Sequence, residues 1–313
     1  MSSIIETISA DLSVPVQLVK EALDLAHIRY RKISVPKRTG GYRTIVQPSA
    51  ELKLVQRWLS SIIFEKLPVS SVATAFLPGA SIVKNAAVHR HSKYSVRVDL
   101  SEFFPSIRCV DLIRVISSAK VDLPSWVNTP EFGVILRKAC FDRIDALPIG
   151  YPSSPILANA VMINIDGDLQ ALINSNPEKF GRACLTRYAD DFVFSTDKAG
   201  ACKSFVDEMR KLLMKTNSPR LKINDAKTRF MSRPGGSTLV TGLRINQFGG
   251  VRVHPDYRDH VRLLLKHFAN GTLKKDEHRV LVGHLAHVEH ADPQLFTRLS
   301  YKYFAEIARI RGS

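Results

Sequence analysis

Acidic residues are scarce in this sequence: 29 Asp and Glu stand against 45 Lys and Arg over 313 residues, a formal net charge of +16. That imbalance argues against a cationic partner and points to a polyanionic one, most simply a nucleic acid. A solvated basic surface with no partner is the alternative. Cysteine is sparse as well. The four present, Cys109, Cys140, Cys184 and Cys202, show no CxxC or other metal spacing. This excludes a disulfide framework and a thiolate zinc site, and leaves reduced thiols, as expected of a cytoplasmic protein. No apolar run reaches the roughly 18 residues of a membrane span. The opening MSSIIETISADLS lacks a signal-peptide pattern. Fixed-period repeats and low-complexity tracts are absent too.

What is present is a globular composition, 45% hydrophobic and 24% charged. The basic charge is uneven. Arg29 to Arg57 holds eight Lys or Arg and one acid, Glu51, and the 63 residues from Val251 hold seven of the ten histidines. DLSVPVQLVKEALDLAHIRY has apolar residues at helical spacing, with Ser13 as N-cap and Pro15 in the first turn. YRKISVPKRTGGYRTIVQPS alternates, breaks at Thr39-Gly40-Gly41 and alternates again, which predicts a β-hairpin with a basic tip. A helix follows from about Glu51 to Leu67. YSVRVDL, LTRYADDFVFS and TLVTGLRIN read as strands, with helices over LANAVMINIDGDLQALI and AGACKSFVDEMRKLLMKT between them. Past Val253 the pattern is mostly helical. The sum is α+β: a small sheet backed by helices, a basic β-rich front and a helical tail.

RYADD places two carboxylates, Asp190 and Asp191, between runs that otherwise read as buried strand. Burying a carboxylate is costly unless it is paired, hydrogen-bonded or metal-bound. SVRVDLSEFFPS ends a similar alternation at Asp99, with Glu102 close behind. If the two strands are neighbours, Asp99 meets one or both of the later aspartates at one end of the sheet. Hard oxygen ligands without a nearby cysteine favour Mg²⁺ or Mn²⁺, and a pair of such ions is the usual equipment for in-line phosphoryl displacement. The competing reading is a plain β-turn, which aspartate suits.

VDLSEFFPS, LPIGYPSSPILAN and RYADDFVFS, in that order, resemble the palm motifs of reverse transcriptases. NAAVH, from Asn85 to His89, is similar to the NAxxH motif of retron reverse transcriptases, and Val240-Thr241-Gly242 to their VTG motif. The likeness covers about Tyr30 to Asn246 well and the tail loosely. It implies a right-hand polymerase with a small antiparallel palm sheet. The N-terminal helix and fingers would occupy residues 1–94, the palm with interleaved fingers elements 95–236, and a helical thumb 237–313.

The resemblance also assigns roles. Asp99, Asp190 and Asp191 would be the catalytic aspartates holding two Mg²⁺ ions, with Leu100 adding a backbone ligand. Phe104, five residues past Asp99, would be the steric gate against a ribose 2′-OH; read without the family it is a core residue. Arg43 would grip the triphosphate of an incoming dNTP, with Lys37 and Arg38 on the same hairpin touching nucleic acid. Lys227, after a short helix-to-strand turn, would meet the dNTP triphosphate and help protonate the departing pyrophosphate; alone it reads as a solvated lysine. Gly150 would lie against the nucleotide, and Ser153, Asn85, His89, Val240, Thr241 and Gly242 against nucleic acid. Ile149 departs from the family, which has Gln there, and Tyr151 replaces a commoner small residue. The thumb histidines His284, His287 and His290 fit a face lying on RNA or a partner better than a metal site. Tyr301 and Tyr303 fit either base stacking or core packing.

Retron membership further implies a cognate structured non-coding RNA, a 2′,5′-branched msDNA product, an accessory effector protein, antiphage defence and no membrane. The rival readings are an intron-like or diversity-generating reverse transcriptase, and a non-catalytic RNA-binding scaffold of polymerase fold.

Overall fold

The computed structural model describes residues 3–36 and 40–312. The N-terminal segment is two helices, not one: α1 (Ile4–Leu12) and α2 (Val16–Asp24). Ser3 and Glu6 cap α1 reciprocally. Ser13 does not start the second helix. It ends the first, in the left-handed region at φ 53°. Pro15 explains the break, because it has no N–H and forces the residue before it out of helical geometry.

The expected hairpin forms from β1 (Tyr30–Pro36) and β2 (Tyr42–Pro48), antiparallel from Tyr30↔Pro48 to Pro36↔Tyr42. Lys37 and Arg38 lie outside the described residues. β1 is exposed along its whole length, so the hairpin stands off the body. Ser49 caps α3 (Ala50–Ile62), and α4 (Ile82–Val88) carries NAAVH.

The main sheet has seven strands in the order β4-β5-β3-β6-β7-β8-β9, all neighbours antiparallel. They are β3 (Tyr94–Ser101), β4 (Ala183–Tyr188), β5 (Asp191–Thr196), β6 (Lys222–Ser232), β7 (Ser237–Val240), β8 (Leu243–Asn246) and β9 (Val251–Val253). The VTG stretch is a turn joining two strands, not one strand: Thr241 at φ 46° and Gly242 at φ 83° reverse the chain between β7 and β8. Only the pair Ser232↔Ser237 links β6 to β7.

Behind β3–β6 lie α5 (Phe103–Ser106), α6 (Cys109–Ser118), α7 (Pro130–Cys140), α8 (Ser154–Val161), α9 (Ile163–Asn174), α10 (Pro177–Phe180) and α11 (Ala201–Lys215). α8 and α9 were expected as one helix; they bend by 43° at Met162. No single helix among the described residues is long and apolar enough to cross a membrane. The C-terminal part is α12 (Pro255–Ala269), α13 (Lys275–Ala291), α14 (Pro293–Lys302) and α15 (Phe304–Gly312).

Two hydrophobic clusters result. Phe192 and Phe194 of β5 join the first, with α1–α3, α6–α9 and α11; Phe194 stacks on Phe205 at 4.3 Å. Val193, pointing to the opposite face as strand alternation requires, joins the second with Ala86 of α4, β7–β9 and the C-terminal helices. Helix α4 is therefore a wedge between the β3–β5 part of the sheet and the helical end.

Candidate active site

β3 and β5 pair so that Asp99 stands opposite Asp191, and the Leu100 N–H donates to the Asp190 carbonyl at 3.1 Å. The two-residue reversal between β4 and β5 is Ala189-Asp190, with Ala189 left-handed at φ 57°. Such tight hairpin turns need positive φ, and here a buried side chain enforces it. Arg187 is fully buried. It holds Asp166 of α9 through Nε at 2.9 and 3.1 Å and Nη2 at 2.7 Å, Asn159 at 3.1 Å, and donates to the Ala189 carbonyl at 3.2 Å. Reading RYADD for its carboxylates alone misses this. The available signal was an arginine two residues before the turn in a strand otherwise free of charge, with an acid, Asp166, among the apolar residues Ile163, Ile165 and Leu169 of the helix.

Asp99 is 6% exposed. Lys227 Nζ lies 3.1 Å from its Oδ2 and 3.0 Å from its Oδ1. No helix leads to Lys227, contrary to expectation. β6 is one strand whose register jumps from Asn224, opposite Asp99, to Arg229, opposite Arg97. Asp225 to Thr228 therefore bulge out and carry Lys227 back over the carboxylates. Arg210 of α11 pins the bulge through Asp225, at 2.6 and 3.2 Å.

Burial raises Asp190 above the ordinary carboxylate value; Asp99 adds to the rise, against a backbone hydrogen bond, Lys227 and Arg43. Burial likewise pushes Asp191 up to about 6, with Arg97 pulling down and Asp190 and Asp99 pushing up. Arg97 Nε is 3.8 Å from Asp191 Oδ1. Two buried carboxylates raised in part by a third, Asp99, fit a hard divalent cation. Among the described residues, no thiol or imidazole lines the cleft that holds Asp99 and Asp190. No group of three His, Cys, Asp or Glu side chains among the described residues is arranged to hold a metal ion by itself.

The cleft has a volume of about 480 Å³ and brings together Arg43, Asp99, Leu100, Phe104, Asp190 and Lys227. Ile149 also lines it, its side chain standing where the family has Gln. Glu102, left-handed at φ 46°, turns the chain so that Phe103 enters the core. Phe104 meets Phe103 edge-on at 5.3 Å and lines the cleft while packing partly on the core, so both expectations for it have a geometric basis.

The remaining residues named from the sequence are placed as follows. Gly150 is exposed beside Ile149, which lines the cleft. At φ +108°, it sits where β2 crosses: a Cβ would come within 2.4 Å of Ile45 Cγ2, and the Val46 N–H donates to the Ile149 carbonyl at 2.7 Å. Its role is to let the hairpin approach. Asn85, His89, Ser153 and Val240 are buried, so none presents a surface to nucleic acid. His89 bridges Ser195 at 2.7 Å and Thr186 at 2.8 Å, and burial pushes its pKa down to about 4. It ties α4 to the catalytic hairpin as a neutral imidazole. Tyr151 is buried, its hydroxyl pushed up to about 12, and does not reach the cleft. Val240 sits in the second core, while Thr241 and Gly242 border a second cavity of about 520 Å³ with His260 and His287. Thr241 Oγ1 donates to the Ile82 carbonyl at 3.3 Å, joining the VTG turn to α4. His284 bonds Tyr257 at 2.7 Å, and His287 packs edge-on against the same ring. Tyr301 is exposed, whereas Tyr303 packs against the second core.

Carboxylates at the end of an antiparallel sheet, faced by an arginine on a projecting hairpin and a lysine on a bulge, define a nucleotidyl-transferring polymerase of right-hand architecture. The sequence profile described as reverse transcriptase (RNA-dependent DNA polymerase) matches residues 35–281. The chain belongs to that family and, within it, to the retron reverse transcriptases; it is an RNA-directed DNA polymerase. It is 37% identical over 285 residues to the Retron Ec73 reverse transcriptase of Escherichia coli, covering 90% of this chain and 89% of that protein. Identity to the Retron Ec83 reverse transcriptase of the same organism is 27% over 281 residues, covering 88% and 86%. Among solved structures, apo telomerase from Candida tropicalis matches with a TM-score of 0.49 and 14% identity, over 82% of this chain and 50% of that one. This chain thus spans about half the length of that telomerase chain.

Proposed function

We propose that this polymerase copies part of a cognate structured non-coding RNA into a 2′,5′-branched DNA, priming from a ribose 2′-OH within that RNA. The observation that carries the chemistry is the cleft in which Asp99 and Asp190 meet Arg43, Phe104 and Lys227. The primer hydroxyl loses its proton to solvent, its oxygen attacks the α-phosphorus of a dNTP, the bond to the bridging oxygen breaks, and pyrophosphate departs. Arg43 supplies a planar fork that suits the triphosphate oxygens. Lys227 Nζ, already in the cleft, can serve the same oxygens and give a proton to the leaving pyrophosphate. The Phe104 ring excludes a ribose 2′-OH. Asp99, Asp190 and Asp191, with the Leu100 carbonyl, would hold two Mg²⁺ or Mn²⁺ ions. Such ions lower the pKa of an attacking hydroxyl and offset charge on the leaving group.

In this reading residues 1–94 hold the N-terminal helices and fingers, 95–236 the palm and 237–313 the thumb. The protein works in the cytoplasm with its RNA, its msDNA, dNTPs and an accessory effector, in antiphage defence. The test is the nucleic acid that co-purifies from the native locus, treated with RNase and then with a 2′,5′ debranching enzyme, beside Asp190→Asn. A small DNA that survives RNase, shifts on debranching and is missing from the variant supports the proposal. An unbranched DNA overturns the priming step, and RNA without DNA in both samples overturns synthesis under those conditions.

A further inference from the structure

Phe248 is 86% exposed, the highest value among the exposed large hydrophobic side chains described. Its turn is nonetheless braced. Asn246 Oδ1 accepts from the N–H of Phe248 at 3.0 Å and of Gly250 at 2.9 Å, and the Gly249 N–H donates to the Asn246 carbonyl at 2.9 Å. Gly249, at φ +82°, lies so close to the corner after α4 that a Cβ would stand 2.8 Å from the Arg90 carbonyl. Arg233 clamps that corner, donating to the Arg90 and His91 carbonyls at 2.5 and 3.1 Å. A ring held out in water on a rigid turn serves no packing purpose in the fold.

Phe248 borders a cavity of about 510 Å³ lined also by Arg244, Arg252, Arg258, Arg262 and Arg298. Acid is short there. Asp292 lies 3.8 Å from Arg252 and caps α14, and Asp259 is shared by Arg258 at 2.9 Å and Arg262 at 3.3 Å. Arg244 Nε is buried without a hydrogen-bond partner, and Arg298 makes no ion pair among the described residues. None of these residues lines the catalytic cleft.

Guanidinium forks match phosphate oxygens, and an exposed aromatic face suits an unpaired base. A continuous duplex would satisfy the arginines but leave the ring without a base face, and an acidic peptide would gain little from it. We propose that this cavity, between the β8–β9 turn and helices α12 and α14, is a second RNA site. It grips an unpaired segment by its phosphates, with Phe248 stacked on a base. This rests on the RNA-directed reading above and adds a specific anchoring site remote from the chemistry.

The test uses the full chain without dNTPs and follows fluorescence anisotropy of two labelled probes: an RNA hairpin with an unpaired loop, and a blunt RNA duplex of the same length. Phe248→Ala should weaken hairpin binding roughly tenfold, the scale of one lost stacking contact, and leave the duplex unchanged. Arg258→Gln with Arg298→Gln should weaken both probes and reduce the salt slope by about 1.4, two phosphate contacts' worth. Melting curves confirm that each variant is folded. Unaltered hairpin binding by Phe248→Ala overturns the site. So does an equal loss from neutralising exposed Lys203 and Lys215 on α11, or displacement by polyglutamate as effective as by poly(U), since either means diffuse charge. The polymerase reading is judged separately, by wild-type dNTP incorporation on poly(rA)·oligo(dT) against Asp190→Asn. Its failure leaves the binding result standing, and the reverse holds too.

Discussion

His89 illustrates how a residue of a recognition-like motif can act inside the protein. Both ring nitrogens are engaged, by Ser195 and Thr186, and burial holds the group at about 4 against 6.5. Between those values the unfolded chain takes up a proton that the folded chain refuses. The stability it contributes is therefore complete above about 6.5 and is lost as pH falls toward about 4. Thermal melts across this range should show a falling Tm, and His89→Gln should flatten the fall; an unchanged slope would mean another group controls it. Arg187 and Asp166 form a fully buried pair. Asp166→Ala should cost about 3–5 kcal/mol, because it strands a buried guanidinium. Arg187→Met with Asp166→Leu should recover much of that stability in denaturant melts. Synthesis should stay depressed, because the Ala189 carbonyl has lost its donor. Recovery of both would reduce Arg187 to a stability role. At the cleft wall, Phe104→Ala should raise ribonucleotide incorporation relative to dNTPs; no change in that ratio would return Phe104 to the core.

At the scale of elements, Asp99 reaches the cleft at the end of β3, Asp190 on the β4–β5 turn, Lys227 on the β6 bulge and Arg43 on the β1–β2 hairpin. The hairpin meets the body where Gly150 lets β2 pass. Gly150→Ala combines a positive φ with a 2.4 Å contact to Ile45 Cγ2, and overpacking of this kind costs about 1–3 kcal/mol. Because that joint positions Arg43, the variant should raise KM for dNTPs more than it lowers kcat. Adding Ile45→Ala should remove only the Cγ2 contact, because the new Cβ still stands 2.7 Å from the Val46 carbonyl oxygen, and an unchanged KM would separate the joint from nucleotide binding. Hairpin, β3 and β5 were legible in the sequence because alternation and the Gly-Gly break are local signals. The bulge and the Ser13 stop were harder. Four looped-out residues leave no trace in a period-2 pattern, and a Ser before Val-Pro reads equally well as the start of one helix or the end of another. The pairing of Arg187 with Asp166, 21 residues away, and the packing of NAAVH onto the VTG turn are tertiary facts without a local signature.

For the whole molecule, the charge excess and the three aspartates were legible, since composition and short motifs need no fold. The seven-stranded sheet was not, because a single pair, Ser232↔Ser237, decides whether β7–β9 continue it. The same two legible features make separable predictions. Affinity for RNA draws on a net charge of +16 contributed by many residues, whereas catalysis needs carboxylates at one point. Asp190→Asn removes one negative charge beside Lys227 and Arg43, so it cannot weaken a polyanion's attraction. Synthesis should vanish in this variant while RNA binding survives. The plot of log affinity against log salt should keep its wild-type slope, about −4 to −7 if 6–10 phosphates are engaged at roughly −0.7 each. Primer extension and anisotropy on one preparation decide it. Persistent synthesis in both Asp190→Asn and Asp191→Asn would remove the aspartates from the metal site, and a collapse of RNA binding in Asp190→Asn would show that the carboxylate shapes the RNA surface rather than the chemistry alone.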